Sequence, residues 1–308
     1  MAYIPRILAC GRASLEAASA ASIFLICGCL SFAFYSLFCV CSVALETPFV
    51  PTMGTVLFLL VVLPLVCLPI TMSDADKHSM HRVPPKNDPS LTFGKREGRV
   101  LFRLSIFKAL PPALLPHFLY LIAFGEFMLH FEPAVASTVC SATLQKNDWV
   151  SIIRCEGLGG YTGDSRVFAS CIALAEFVIC NLVGSAAFVH RTLPLFEEPP
   201  WRRNRIWLYS VMVGLLLTAG YLGATLEKET FGIFPWYFYL LAAIMPFFCL
   251  FWNELLKRSE RSLLDRAEKL RRLQFETRRV ILLVLVFQSS MSSPFSLPGY
   301  RLGMWSPK

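Results

Sequence analysis

The chain has 308 residues, 55% of them hydrophobic and only 16% charged, with a formal net charge of +8 and a mean hydropathy of +0.55. Water-soluble domains carry about a quarter of their residues as charged side chains, so composition excludes that class, along with disordered regulators and disulfide-rich secreted modules. What remains is a polytopic membrane protein, in which an excess of Lys and Arg marks cytoplasmic loops and gives no support to nucleic-acid binding.

A helix crossing the hydrocarbon core needs about 20 mostly apolar residues. Six stretches qualify, with predicted spans at about 17–45, 53–72, 100–125, 167–189, 206–226 and 231–253. The first two are free of Asp, Glu, Lys and Arg and are separated by a turn marked by Pro48 and Pro51. The third carries Arg103 and Lys108 near one end, and the fourth is interrupted only by Glu176. The last two hold no charged side chain. A further run, Val280 to Phe287, is too short to cross. The expected fold class is an all-α membrane protein, a six-transmembrane-helix bundle.

Basic residues alternate sides along this order. Arg6 and Arg12 precede the first span; Lys77, Arg82, Lys86, Lys95, Arg96 and Arg99 lie in the second loop; Arg191, Arg202, Arg203 and Arg205 lie in the fourth; and the tail is rich in both Lys and Arg. All four segments fall on one side, which predicts that both termini are cytoplasmic. Met1 to Leu15 lacks the pattern of a cleaved signal peptide, so the first span is expected to direct insertion. Residues 254–279 space Leu255, Leu256, Leu263, Leu264, Leu270 and Leu273 among charges. They read either as a basic amphipathic helix on the anionic cytoplasmic leaflet or as a solvated extension of the last span.

Glu176 is the one deeply embedded carboxylate, and such a group faces a bundle interior or a water-filled path. His117 follows Pro111, Pro112 and Pro116 in the third span and reads as a packing histidine in a kinked helix. Most cysteines lie in spans, where thiols act as small hydrophobes. Gly157-Leu158-Gly159-Gly160 lacks the strand, helix and Lys-Ser pair of a phosphate cradle and reads as a loop.

Taken in order, the punctuation between the spans resembles the C-terminal six-helix membrane half of P-type cation-transporting ATPases, their helices 5 to 10, over residues 1–260. Gly11-Arg12-Ala13 opens the first span. Glu46-Thr47-Pro48-Phe49-Val50-Pro51 forms the luminal turn, and Leu63-Pro64 stands in the second span. Met80-His81-Arg82-Val83-Pro84-Pro85 follows it, and Arg99-Val100-Leu101-Phe102-Arg103 begins the third. Cys180-Asn181 stands in the fourth, Pro199-Pro200-Trp201 and Ile206-Trp207-Leu208 begin the fifth, and Asn253-Glu254-Leu255-Leu256-Lys257 closes the sixth. The end of the chain is similar to a divergent, magnesium-transporting branch of the endoplasmic reticulum membrane. Leu273 to Arg278 and Arg301 to Pro307 match two halves of that branch's terminal motif. The low-complexity residues between them, in a terminal segment taken as 280–308, read as a splice insertion.

The resemblance implies a divalent cation, magnesium, as the transported ion, and Glu176 and Asn181 as ion-pathway residues. It also implies a luminal disulfide between Cys140 and Cys155, where calcium pumps carry one. The family's Thr-Asp ligand pair before Leu-Pro corresponds here to the apolar Val61 and Val62, so that ligand is missing. No Asp-Lys-Thr-Gly-Thr phosphorylation sequence occurs in the 308 residues, so this chain is expected not to hydrolyse ATP alone and to hold no cofactor of its own. Its expected partners are the lipid bilayer, the N-terminal half of such a transporter or another membrane subunit, and anionic lipid at the basic tail. The competing reading is a membrane scaffold or regulatory subunit that binds other membrane proteins through the bundle and tail. An independent six-span channel lacks an acidic ring or Gly-rich filter.

Overall fold

The computed structural model describes residues 3–41, 51–73, 95–131, 164–190, 195, 199–226, 232 and 234–291. Among these the regular structure is helical, and six helices are long and apolar enough to cross a membrane. We number them α1, Tyr3–Cys41; α2, Thr52–Thr71; α3, Lys95–Phe131; α4, Asp164–Gly184; α5, Arg205–Thr225; and α6, Trp236–Met291.

The apolar lengths agree with the sequence reading in number and order. They run Ala13–Val40, Thr52–Thr71, Phe102–His130, Ser165–Val189, Arg205–Thr225 and Trp236–Ser262. Two ends differ. The third span reaches past Gly125 because its polar end residues find partners: Tyr237 Oη donates to Glu126 Oε1 at 3.3 Å, and His130 Nδ1 lies 3.1 Å from the Glu126 carbonyl. The sixth begins at Trp236 and runs past Asn253, because the charged side chains that follow pack inward.

Proline shapes α2 and α3. Pro64 has no N–H to give the carbonyl of Leu60, and the preceding turn widens to a π-helix over Leu57–Val62, in which Leu63 N–H reaches back five residues to Phe58 O. In α3 the helix passes through Pro111, Pro112 and Pro116 without ending. Pro111 leaves the carbonyl of Phe107 without its intrahelical donor, and Trp252 Nε1 of α6 donates to that oxygen at 3.0 Å. Membrane helices tolerate proline when a neighbour re-satisfies the freed carbonyl in this way.

Helix α4 is the centre of the packing. Of its apolar window 78% is buried, against 28% for α5 and for α6. One side joins a cluster with α1, α2 and α5 through Leu174, Phe177 and Leu182, where Phe177 meets Phe58 edge-on at 4.9 Å between ring centroids. The other side joins α3 and α6 through Ala169, Ala173 and Cys180, packed with Phe127, Phe234 and Phe238. The outward faces are apolar: Tyr209, Met212 and Leu216 on α5, and Trp236, Phe247 and Phe251 on α6, are exposed. An apolar outside around buried polar groups suits lipid.

The chain divides into Met1–Ser262 and Leu263–Lys308. The first unit holds the bundle. In the second, helix continues to Met291, so residues 263–279 of the basic tail and the short apolar run 280–287 are helical. The terminal motif Arg301 to Pro307 lies outside the described residues.

Candidate functional site

Helix α4 carries both candidate ion-pathway residues, and their five-residue spacing turns them about 140° apart on a helix. Glu176 is 5% exposed, with Ala173, Phe177 and Cys180 around it in sequence and buried. Its Oε1 accepts from Cys180 Sγ at 3.6 Å, one turn on. Asn181 is also buried and donates Nδ2 to the Phe177 carbonyl at 2.9 Å. The two side chains share no direct contact among those described. Cys180 links them: it touches Glu176 and lines, with Asn181, a small cavity beside Lys108 and Asn253.

That cavity opens onto a polar layer that sequence reading did not single out. Lys108 Nζ of α3 pairs with Glu260 Oε2 of α6 at 2.7 Å, with side chains 9% and 5% exposed, and sits 5.3 Å above the Phe188 ring. Six residues earlier on α6, Glu254 Oε1 accepts from the backbone N–H of Leu195 at 3.1 Å, while its Oε2 lies 3.7 Å from Lys257 Nζ. Charges buried in this way persist only when paired. The available signal was modest: a lone Lys in an apolar run, and Glu254, Lys257 and Glu260 at three-residue spacing, i, i+3, i+6, which holds them near one helix face.

A second polar joint lies at the α2–α5 end. Asn204 caps two helices at once, donating Nδ2 to Pro69 O at 2.6 Å and accepting at Oδ1 from Trp207 N–H at 2.9 Å. Trp207 Nε1 then donates to Ser185 Oγ at 3.0 Å, and Ser185 Oγ donates to Leu182 O at 2.6 Å.

The remaining candidates divide plainly. His117 is half-buried and stacks on Tyr120 at 6.0 Å between centroids, in keeping with a packing role. Val62 is buried in the α1–α2–α4 cluster and Val61 is exposed. Cys140, Cys155 and the Gly157 to Gly160 patch lie outside the described residues. Among the described residues no three His, Cys, Asp or Glu side chains form a group able to hold a metal ion. Glu176 brings one buried carboxylate beside one thiol, that of Cys180. No family model and no curated protein matches the chain.

Proposed function

We propose that the chain is the C-terminal membrane domain of a P-type-ATPase-like divalent-cation transporter, similar to the transmembrane protein 94 group, with magnesium as its ion. It contributes one wall of the ion pathway. The ATP-hydrolysing domains belong to sequence beyond these 308 residues. The observation that carries the reading is Glu176: a carboxylate 5% exposed in the most buried apolar helix, where an ionisable group is costly by about 2.5–3.5 kcal/mol for the charged form and is retained for a pathway role. The π-helical turn before Pro64 in α2 is in keeping with it, because the family unwinds its corresponding helix at that Leu-Pro. An incomplete ligand set also fits a domain whose other ligands come from helices not in this chain. Under this reading the protein resides in the endoplasmic reticulum membrane with both termini cytoplasmic, and anionic lipid engages the basic tail.

Magnesium flux into vesicles, measured with the chain joined to a transporter's N-terminal half, tests this. Glu176→Gln keeps size and hydrogen bonding and removes the charge; flux is expected to fall at least about tenfold, the effect of about 1.4 kcal/mol on a barrier. Unchanged flux overturns the proposal and leaves the scaffold reading, in which Glu176 is a packing residue.

A further inference from the structure

We infer that the cavity beside Lys108 is a binding site for a single water molecule. The cavity measures about 10 Å³ and lies among α1, α3, α4 and α6, with Ser31, Lys108, Asn181 and Asn253 as its polar wall. A buried water needs roughly 10–15 Å³ of such volume and two to four polar partners. Both conditions are met at the lower bound of size.

The chemistry selects the ligand. Asn253 is 4% exposed, and its Oδ1 is buried with no hydrogen-bond partner. Its Nδ2 is the atom seated toward Gly184, where a Cβ would lie only 3.2 Å away. The vacant group is therefore an acceptor, and the ligand must donate. Lys108 is an ammonium with three N–H groups, one of them directed to Glu260, so the ligand must also tolerate a positive charge and accept. Ser31 donates to Cys27 O at 2.8 Å and keeps its oxygen lone pairs. A metal cation in this space would sit against the ammonium, and a simple anion has no proton for Asn253. Water donates to Asn253, accepts from Lys108, is neutral and fits. Asn253 and Glu260 are seven residues apart, two turns along α6 and on the same face. The water and the ion pair thus hold Lys108 of α3 at two points of α6.

X-ray radiolytic footprinting of the full chain in lipid nanodiscs tests the site, because a bound water generates hydroxyl radicals in place and oxidises the nearest rings. Phe24 and Phe188, which line the cavity, are expected to label several-fold faster than Phe124 and Phe177, which are fully buried. Asn253→Leu removes the acceptor at similar volume and is expected to bring Phe24 and Phe188 down to the Phe177 rate, with circular dichroism and elution volume unchanged. If that variant does not fold, Ser31→Val fills the opposite wall and is expected to give the same loss. Equal labelling of all four rings in the unsubstituted chain overturns the inference. So does labelling that persists in the folded variant.

Discussion

Lys108 and Glu260 are the residues on which the interior polarity turns. Their pairing at 2.7 Å is almost shut off from solvent, and a pair of this kind is worth less than the damage done by halving it. Removing one partner takes its counter-charge from a buried group and costs up to about 3–5 kcal/mol, whereas replacing both with apolar side chains of like volume is about neutral or stabilising. Lys108→Met is therefore expected to lower unfolding stability, by up to about 3–5 kcal/mol, and Lys108→Met combined with Glu260→Leu to recover most of that loss. Steric-trap or denaturant unfolding in micelles measures both. A double variant no better than the single one would show that Glu260 was not the cost. Glu176 was legible from sequence because a lone carboxylate in an apolar run is conspicuous. The Lys108–Glu260 pair was not, since its partners stand 152 residues apart and Glu260 lies in a stretch whose composition reads as a solvated tail.

Helix contacts obey the same local chemistry. Trp252 exists at its position as a donor as much as an apolar ring, since it bonds the Phe107 carbonyl that Pro111 leaves open. Trp252→Phe is expected to cost about 1–3 kcal/mol, the penalty of an acceptor left unsatisfied where lipid offers no donor. Adding Pro111→Ala should return much of it, because an alanine N–H can close the helix bond to Phe107. No rescue in thermal unfolding would refute this account of the pair. Between α4 and α5 the limit is steric: a Cβ on Gly214 would lie 2.8 Å from Leu182 Cδ2, while one on Gly220 meets nothing within 4 Å. Gly214→Leu is expected to destabilise by about 1–3 kcal/mol through overpacking. Gly220→Ala should gain up to about 1 kcal/mol of helix propensity. Melting temperatures in detergent separate the two, and equal shifts would sink the close-approach reading. Hydropathy alone revealed all six helices, since span length is a property of each run by itself. It missed the end of α6 because Glu254 and Glu260 find partners on other segments, the Leu195 N–H and Lys108, and it did not show what answers the carbonyl freed by Pro111, because Trp252 is 145 residues away.

For the whole molecule the sidedness of the spans decides how every buried group is to be read. Arg6, Arg12, the three basic residues between α2 and α3 with the three in the first turns of α3, and the Arg-rich segment before α5 fall on one side of six crossings. In the proposed orientation, with such residues kept in the cytoplasm during insertion, the Lys108–Glu260 layer is expected at the cytoplasmic end and the Glu126–Tyr237 contact at the luminal end. Exposed Trp201 and Trp236 then sit one at each interface, where indole rings are favoured. A glycosylation acceptor inserted after Lys146, between α3 and α4, is expected to gain a glycan in microsomes. The same insert after Asn87, between α2 and α3, should remain unmodified. The reverse pattern would invert the bundle and move the ion-paired layer to the lumen. Modification at neither site would mean that α3 fails to cross. With Lys108, three prolines and His117 in its apolar length, α3 is the least apolar of the six, so it is the span on which the topology is most severely tested. Lys108→Asp, which replaces the ion pair with Glu260 by two neighbouring carboxylates, is expected to lower the fraction glycosylated after Lys146 while the site after Asn87 stays unmodified.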